Sequence, residues 1–173
     1  LDLSRSDSGQ LQLNQELVDL GLLVDKVADL SQSNFSDHRL QVVNKISENG
    51  TSEALADPGR LQQVLLDLID NAAKYSAPNS LITLLLHLHT DGIAIDVKDE
   101  GIGIPESDLP HIFKRFHRAE NSTGSSGTGL GLSVVTLLMS AMGGEVRVQS
   151  KEGEGSCFSV ILPKPPTTSR TKS

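Results

Sequence analysis

The amino-acid sequence predicts an α+β fold with two layers, in which helices pack on one face of a mixed, mostly antiparallel sheet. Some segments have an apolar residue at every third or fourth position, which is the spacing of an amphipathic helix. In others every second residue is apolar, as in a half-buried strand. Two pairs of these strands are separated by short Gly-containing turns, which indicates hairpins.

The size and composition of the chain favour one folded domain with short tails. Its 173 residues are enough to bury a single core. The formal net charge of -7 argues against a nucleic-acid partner, because a phosphate backbone is bound by clustered Lys and Arg. The single cysteine, Cys157, excludes an internal disulfide, and we interpret it as a small buried residue near a strand start. The chain begins at Leu1 rather than Met, so we interpret it as part of a longer protein.

The first predicted elements are short. Residues 1–9 (LDLSRSDSG) look like the end of a helix with Gly9 as its C-terminal cap. Residues 11–18 are a candidate strand, and Asp19 is the predicted N-cap of a helix. Apolar residues follow it at helical spacing: Leu20, Leu23, Val24, Val27 and Leu30. Residues 39–46 are a second candidate strand.

A long helix and a hairpin come next. Asp57 followed by Pro58 predicts a helix start, because an N-cap aspartate and a proline in the first turn both favour it. This helix is expected to run to about Tyr75 and to end before Pro78. Residues 81–89 and 93–99 are predicted strands joined by a turn at Asp91-Gly92. Their predicted inward residues are Ile82, Leu84, Leu86, Leu88, Ile93, Ile95 and Val97, and Ala94, Asp96 and Lys98 are predicted to point outward.

The remaining segments alternate between loops and regular structure. Residues 101–110 are predicted to form a loop with a short helix, and residues 120–128 a flexible Ser/Gly-rich stretch. An amphipathic helix is expected over residues 130–142, ended by Gly143 and Gly144. Residues 145–149 and 157–162 are predicted to form a second hairpin, and residues 164–173 a disordered tail.

Three polar residues lie on the side of the long helix opposite its apolar face. Asp67, Asn71 and Lys74 are spaced i, i+4 and i+7, so their side chains form one stripe, with Tyr75 at its edge. An acid, an amide oxygen, an ammonium group and an aromatic ring in one row suit Mg²⁺ coordination, phosphate pairing and base stacking. Every amphipathic helix also has a polar face, so the helix by itself is more simply explained by a solvated surface, and the stripe needs support from other residues.

Asp99 is a carboxylate at a position where the strand pattern calls for an apolar side chain. It continues the inward register of Ile95 and Val97. One interpretation is a planar ligand with an exocyclic amine, such as adenine, which would donate to this acceptor. The other is that Asp99 caps the loop at the strand end, as Asp before Gly often does. The residues alone leave both interpretations open.

A glycine-rich segment, residues 127–132 (GTGLGL), directly precedes the last predicted helix. Glycine-rich backbone at a helix N-terminus presents free N–H groups and a positive dipole end to a phosphate. The segment lacks the preceding strand of a dinucleotide-binding fingerprint and the Gly-Lys-Ser/Thr of a P-loop. Residues 120–126 before it would suit a lid that folds over a nucleotide.

In this order the motifs resemble those of the histidine kinase catalytic domain in the GHKL ATPase superfamily. Residues 63–76 (QVLLDLIDNAAKYS) are similar to its N box, 99–104 (DEGIGI) to its first glycine box, 113–118 (FKRFHR) to its F box and 127–132 to its second glycine box. The similarity extends over about residues 1–163. It implies the Bergerat fold, a two-layer α/β sandwich, which agrees with the layers predicted above.

The resemblance also implies a site for ATP and Mg²⁺. Asn71 would hold Mg²⁺, Lys74 would meet a phosphate, Tyr75 would pack on the adenine, and Asp99 would accept the adenine amine. Arg118 and Arg115 of the F box would reach the terminal phosphates. The remaining candidate nucleotide contacts are Gly101, Gly103, Ile104, Gly127, Thr128, Gly129, Leu130, Gly131 and Leu132.

Asp67 departs from the family pattern. Histidine kinases often carry Asn at this position, whereas hydrolytic relatives carry an acidic general base. Asp67 is therefore a second candidate Mg²⁺ ligand and, with Asn71, Lys74 and Arg118, a candidate catalytic residue. The same carboxylate would also be able to activate water and favour loss of ATP by hydrolysis.

The resemblance implies a kinase that transfers the γ-phosphoryl group of ATP to a histidine on a separate helical hairpin. None of the five histidines has the His-Glu-x-x-x-Pro context of that acceptor, so the acceptor is expected upstream. His87 and His89 share the outer face of a strand with no visible third metal ligand, so we expect them to face solvent. The implied limits are residues 1–10 for the end of the hairpin, 11–163 for the ATP-binding catalytic domain and 164–173 for the tail.

The implied partners are the phosphoacceptor hairpin of the same protein and a response-regulator receiver domain. The chain alone is expected to be monomeric and cytoplasmic, to bind Mg·ATP and to show no autophosphorylation, whereas its parent is expected to dimerise through the hairpin. Two other functions stay open. One is a different GHKL ATPase or serine kinase, and the other is a non-catalytic nucleotide-binding module that binds partners.

Overall fold

The computed structural model describes residues 11–46, 50–122 and 128–165 of the chain. Residues 1–10, most of the expected tail and Gly127 lie outside the described residues. In chain order the elements are β1 (Glu16–Asp19), α1 (Leu20–Asn34), β2 (Arg39–Asn44), β3 (Glu53–Ala56), α2 (Pro58–Lys74), β4 (Leu81–His89), β5 (Gly92–Asp99), a 3₁₀ turn (Glu120–Ser122), α3 (Gly131–Ala141), β6 (Glu145–Lys151) and β7 (Gly155–Leu162).

Five of the strands form one sheet in the order β2-β4-β5-β7-β6. The β2–β4 pair is parallel and the other three pairs are antiparallel. Buried side chains of all three helices share one core with the inward residues of the sheet, among them Leu84, Ile95 and Phe158. This confirms the predicted two-layer α+β architecture and the mixed, mostly antiparallel sheet.

The two predicted helix caps are present. The Asp19 carboxylate accepts hydrogen bonds from the N–H groups of Gly21 and Leu22, at 2.9 and 3.2 Å. The Asp57 carboxylate accepts from the N–H of Arg60 at 3.0 Å and, through its other oxygen, from the N–H of Asn14 at 2.8 Å. Each cap satisfies N–H groups that the helix itself leaves without a partner, and α2 then runs from Pro58 to its C-cap at Tyr75.

The strands differ from the sequence-based prediction in length and in number. β1 is only residues 16–19, because pairing begins where Glu16 meets Ala56. β2 ends two residues earlier than predicted, and β6 and β7 are each two residues longer. The partner of β1, β3, was not predicted. With four residues, β3 is too short to show a convincing alternation, although Ala54 and Ala56 are buried and Leu55 between them is exposed.

Several predictions about burial are wrong, one of them in α1 and two in the sheet. Leu30 is 42% exposed and Leu88 is 54% exposed. Leu88 lies beyond Leu86, where the pairing of β4 with β2 ends, so no neighbouring strand covers it on that side. Ala94 was expected outside but is buried, because its small side chain lies between the larger residues paired with it, His87 and Ile161.

Three other residues on the outer face differ from their expected exposure. Cys157 was expected to be buried but is only half-buried, where it pairs with Lys98. His87 and His89 are also only partly exposed, since each lies beside an acid. His87 Nε2 is 3.0 Å from Asp96 Oδ2, and His89 Nδ1 is 3.6 Å from Asp91 Oδ2.

The segment between β5 and α3 consists of consecutive turns rather than the predicted loop with a short helix. Backbone bonds link Asp108 to Pro105 and His111 to Asp108. The start of the predicted flexible stretch is a 3₁₀ turn in which Ser122 is buried, and residues 123–127 lie outside the described residues. Across the part of the chain that is described, no helix is long and apolar enough to cross a membrane.

Candidate functional site

A cavity of about 250 Å³ lies where α2, the end of β5 and the start of α3 come together. Asn71 of α2 and Asp99 of β5 both line it, although they are far apart in sequence. The other expected site residues in its wall are Asp67, Lys74, Tyr75, Gly103, Ile104, Arg118, Thr128, Gly129, Gly131 and Leu132. The structure thus brings residues of all four motifs to one cavity.

The polar stripe of α2 faces this cavity rather than open solvent. The opposite side of the helix is buried in the core through Leu61, Leu65 and Leu68. Because this side fixes the rotation of the helix, the polar stripe faces the cavity. The ammonium group of Lys74 lies 5.4 Å from the centre of the Tyr75 ring, a cation–π distance. The alternative explanation was that the stripe is an ordinary solvated face. Its position in the cavity wall favours a binding surface instead.

The surroundings of Asp67 on α2 shift the pKa of its carboxyl group. Burial, and secondly the charge of the neighbouring Asp70, raise the pKa of Asp67 from 3.8 to about 6. Asp70 is exposed but also lines the cavity. Near neutral pH the carboxylate of Asp67 is therefore ionised at a cost, and a cation in the cavity would offset that cost.

Asp99 caps the loop, as one of the two interpretations of its sequence position expects. It is 5% exposed, and its Oδ1 accepts from the N–H of Gly101 at 2.8 Å and from the N–H of Ser156 at 3.2 Å. These two bonds lower the pKa of Asp99, but burial raises it by more. Oδ1 thus caps the loop. Among the described residues, the hydrogen bonds to this carboxylate end on Oδ1, which leaves Oδ2 for a donor in the cavity.

The first glycine segment is held against the end of α2 by close backbone contacts. A Cβ atom on Gly101 would lie 2.4 Å from the Tyr75 carbonyl oxygen, and one on Gly103, whose φ is +68°, would lie 2.0 Å from the Lys151 carbonyl oxygen. The side chains of larger residues would therefore push this segment away from its neighbours. Gly101 does not line the cavity itself, so its requirement for glycine arises from packing.

The F box contributes one of its two expected arginines to the cavity. Arg118 lines the cavity and donates to the Ser122 carbonyl at 3.0 Å. Arg115 is exposed and is not part of the wall. The N–H of Phe116 donates to the Gly129 carbonyl at 2.9 Å, which joins the F box to the second glycine segment.

The second glycine segment leads into α3, which begins at Gly131. Within the described part of the chain no side chain caps this helix start, which leaves its first N–H groups to an anion. Gly129 has φ +70°, and a Cβ there would lie 2.9 Å from the backbone of Phe116. Thr128, Gly129, Gly131 and Leu132 line the cavity, whereas Leu130 does not.

Several cavity residues were missed in the sequence: Asp70, Ile102, Ile112, His117, Ala119, Asn121, Ser122, Ser156 and Phe158. Asp70 lies three residues after Asp67 on the same helix, so helical spacing could have predicted that it lies beside Asp67 in the cavity wall. Ser156 and Phe158 carry no such signal, since only the pairing of β7 with β5 brings them to the cavity.

The residues present fit a Mg²⁺–nucleotide better than a metal bound by protein alone. Among the described residues there is no cluster of three or more His, Cys, Asp or Glu. Mg²⁺ is usually held by one or two protein oxygens together with phosphate and water, and Asn71 with Asp67 offers that number. The acceptor at Asp99 and the uncapped start of α3 suit the two ends of a nucleotide.

Comparisons with known proteins agree on one family. Residues 56–166 match the model described as "Histidine kinase-, DNA gyrase B-, and HSP90-like ATPase". The chain is 32% identical over 167 residues to the circadian input-output histidine kinase CikA of Synechococcus elongatus, covering 95% of the chain and 22% of that protein. It is 33% identical over 164 residues to the adaptive-response sensory kinase SasA of Crocosphaera subtropica, covering 94% of the chain and 43% of that protein. The chain therefore spans less than half the length of these curated relatives.

Solved structures give the same result. The mycobacterial sensor histidine kinase MprB superposes with a TM-score of 0.73 at 27% identity, covering 87% of this chain and 99% of that one. Full-length ShkA in complex with AMPPNP superposes with a TM-score of 0.77 at 29% identity, covering 92% of this chain and 33% of that one.

The raised pKa of Asp67 leads to a test by pH-dependent stability. The folded chain holds this proton up to about pH 6 and the unfolded chain only to about pH 3.8. Asp67 thus contributes stability that is complete below the lower value and is lost as the pH rises through the upper one. We expect Asp67→Asn to raise the free energy of unfolding by about 1 kcal/mol above pH 7, after allowing for solvent screening. The gain should shrink towards about pH 4, as measured by urea unfolding at several pH values.

Asp70→Asn is the matched control for this experiment. Removing the charge of Asp70 should lower the pKa of Asp67, because that charge is one cause of its rise, and should move the pH window downward. A stability difference between Asp67→Asn and the original chain that is equal at about pH 5 and pH 8 would contradict the raised pKa.

Proposed function

This chain belongs to the histidine kinase-, DNA gyrase B- and HSP90-like ATPase family as an ATP-binding domain of the sensor histidine kinase type, and we propose that it holds Mg·ATP for phosphoryl transfer to a histidine on a separate hairpin. The observation that carries the proposal is the position of Asn71 and Asp99 in the wall of one cavity. An adenine amine at Asp99 and a metal-bound triphosphate at Asn71 would occupy its two sides.

The roles proposed for the binding residues follow from their chemistry. Asp99, an acceptor, takes a hydrogen bond from the adenine amine, and Tyr75 packs on the base. The oxygen of Asn71 is the protein ligand of Mg²⁺, and Asp67 is the second candidate. When bound, the metal neutralises charge on the phosphates.

The phosphates are proposed to lie between cationic side chains and backbone N–H groups. Lys74 and Arg118 pair with the phosphate oxygens, and the segment from Thr128 to Gly131 lies along the triphosphate at the start of α3. Arg115 is exposed outside the cavity wall, so its proposed phosphate contact needs a movement of the F box.

In the proposed reaction a nitrogen of the acceptor imidazole forms a bond to the γ-phosphorus while the bond to the β,γ-bridging oxygen breaks. ADP leaves with that electron pair. The residues of this chain orient the triphosphate for in-line attack and stabilise the charge of the transferring group. The proposed partners are the phosphoacceptor hairpin of the same protein and a response-regulator receiver domain. The proposed location of the reaction is the cytoplasm, which supplies the ATP.

Asp67 supports hydrolysis of ATP as a second candidate function. A carboxylate with a pKa of about 6 in the cavity wall is suited to remove a proton from water near neutral pH. Hydrolysis would use the same nucleotide and would need no protein acceptor.

The two functions are separated by assays on this chain. Calorimetric titration with Mg·ADP should show binding, and no heat at millimolar ligand would contradict both. Incubation with ATP and the phosphoacceptor hairpin of the same protein should then produce acid-labile phosphate on the hairpin. Acid-stable phosphate would indicate a serine kinase instead, and release of phosphate without modified protein would indicate a hydrolase.

We expect Asn71→Ala to remove the Mg²⁺-dependent part of nucleotide affinity. The side-chain oxygen of Asn71 is the proposed metal ligand, and its loss should weaken Mg·ADP binding about tenfold or more, because even the loss of a residue that only supports a metal ligand costs about 10- to 100-fold. Affinity measured in EDTA should change little. Asn71→Asp keeps an oxygen and should restore the metal dependence.

Gln62→Ala is the control for this variant, because Gln62 also lies on α2 but does not line the cavity. It should bind Mg·ADP like the original chain. Unchanged Mg²⁺ dependence in Asn71→Ala would show that another residue holds the metal.

We expect Asp99→Asn to weaken ATP binding about tenfold or more and to reduce the preference for ATP over GTP. The substitution replaces a charged acceptor with an amide that also donates, and hydrogen bonds to charged groups contribute about 1.5–3 kcal/mol. Competition titrations with both nucleotides measure the two effects. Asp96→Asn, on the outer face of the same strand, is the control, and retained affinity with retained selectivity in Asp99→Asn would refute the adenine role.

A further inference from the structure

A small network of hydroxyl groups lies beneath Asp99 in the floor of the cavity. Ser150 of β6 and Ser156 of β7 are paired across the antiparallel hairpin, and their Oγ atoms are 2.7 Å apart. Ser156 is 8% exposed and lines the cavity, and its N–H is the group that bonds Asp99 Oδ1. Ser150 is not part of the cavity wall. It therefore touches the site only through other residues.

The partners of Ser150 determine where each hydroxyl hydrogen points. Ser150 Oγ is 2.9 Å from the Gly155 carbonyl oxygen, which can only accept. The arrangement that satisfies this contact has Ser150 donating its one hydrogen to Gly155. The remaining contact, with Ser156 Oγ, is then a hydrogen bond only if Ser156 donates. Ser150 also accepts from the N–H of Ile104 at 2.9 Å, so both of its lone-pair positions are occupied.

This arrangement has a consequence for the polarity of the cavity floor. Because the hydrogen of Ser156 points to Ser150, the oxygen of Ser156 has only lone pairs left for the cavity. Asp99 next to it is a carboxylate and also only accepts. Asp99 and Ser156, which meet in the cavity floor, therefore both present acceptors and no donor.

We propose that Ser150 is a specificity-determining residue that makes the purine site select a 6-amino over a 6-oxo base by holding the Ser156 hydroxyl away from the cavity. The proposal rests on the proposed function, in which an adenine amine meets Asp99. An exocyclic amine has two hydrogens to donate, whereas a carbonyl at the same ring position offers only lone pairs to the acceptors of Asp99 and Ser156. Without Ser150, the Ser156 hydroxyl is able to turn and donate to that carbonyl.

The test compares ATP with inosine triphosphate, which carries a carbonyl at ring position 6 and a hydrogen on the neighbouring N1, and lacks the extra 2-amino group of guanine. The N1 hydrogen is present in every variant compared, so a change of the ratio between variants reports the contact with the carbonyl. We expect the original chain to bind ATP more tightly than inosine triphosphate in calorimetric competition. In Ser150→Ala the ratio of the two dissociation constants should shrink about five- to tenfold, the effect of one neutral hydrogen bond gained by the 6-oxo base. Ser150→Thr keeps the hydroxyl and should keep the ratio.

One control and one alternative variant separate a change in selectivity from a general loss of structure. Ser159→Ala removes the same group from the same hairpin, on the outer face of β7 opposite Asp96, and should leave the ratio unchanged. Ser150→Ala also leaves the Ile104 N–H without its acceptor, which costs about 1–3 kcal/mol. If this prevents folding, Ser150→Cys provides the test, because a thiol is a poor hydrogen-bonding partner of similar size.

A double-mutant cycle with Ser156→Ala tests the proposed route. If Ser150 acts through the Ser156 hydroxyl, Ser150→Ala should change the ratio in the original chain and should not change it further in the Ser156→Ala background. An unchanged ratio in Ser150→Ala, an equal effect in both backgrounds, or no preference for ATP in the original chain would each overturn the inference while nucleotide binding, and with it the proposed function, stands. Absence of ATP binding in the original chain would overturn the proposed function and this inference together.

Discussion

The carboxylate of Asp99 is the group on which the geometry of the cavity depends. A buried carboxylate needs hydrogen-bond donors, because its transfer out of water costs several kcal/mol, roughly, when it is unpaired. Two backbone N–H groups meet that need at Oδ1, one from Gly101 and one from Ser156. The first requires the chain to turn sharply after β5, and the second requires β7 to pair with β5 in one register. A residue larger than glycine at position 155 would disturb this pairing, since its Cβ would lie 2.2 Å from the Asp99 carbonyl oxygen.

The same turn connects the sheet to the end of α2. The N–H of Ile102 donates to the Tyr75 carbonyl at 3.1 Å, and the N–H of Gly153 donates to the Ile102 carbonyl at 2.7 Å. The first glycine segment is thus held between the C-terminus of α2 and the β6–β7 turn. Because α2 is anchored at this end and buried along its apolar side, the stripe that carries Asn71 faces the same cavity as Asp99. These two polar groups on separate elements are the proposed sides of one nucleotide site.

The wall on the other side of the cavity is built around Asp108, a second buried acid. It is 6% exposed, its Oδ2 accepts from the N–H of Glu120 at 2.9 Å, and its Oδ1 lies 3.2 Å from His117 Nε2. These contacts join the turns after Pro105 to the segment that carries Arg118. Charge is therefore distributed unevenly around the cavity. Acceptors surround the proposed purine end, acids lie at the proposed metal position, and the cations Lys74 and Arg118 lie where phosphates would be.

The sequence by itself determined the features that depend on near neighbours in the chain. The caps Asp19 and Asp57, the length of α2 and the spacing of Asp67, Asn71 and Lys74 follow from helix geometry, and the register that turns Asp99 inward follows from strand alternation. Only the tertiary structure decided which of these residues meet. The strand β3, the burial of Ala94, the absence of Arg115 from the cavity and the contact of Ser150 with Ser156 all depend on pairing or packing between distant segments. These features arise from hydrogen bonds and burial between residues that are far apart in the sequence, so no pattern among neighbouring residues predicts them.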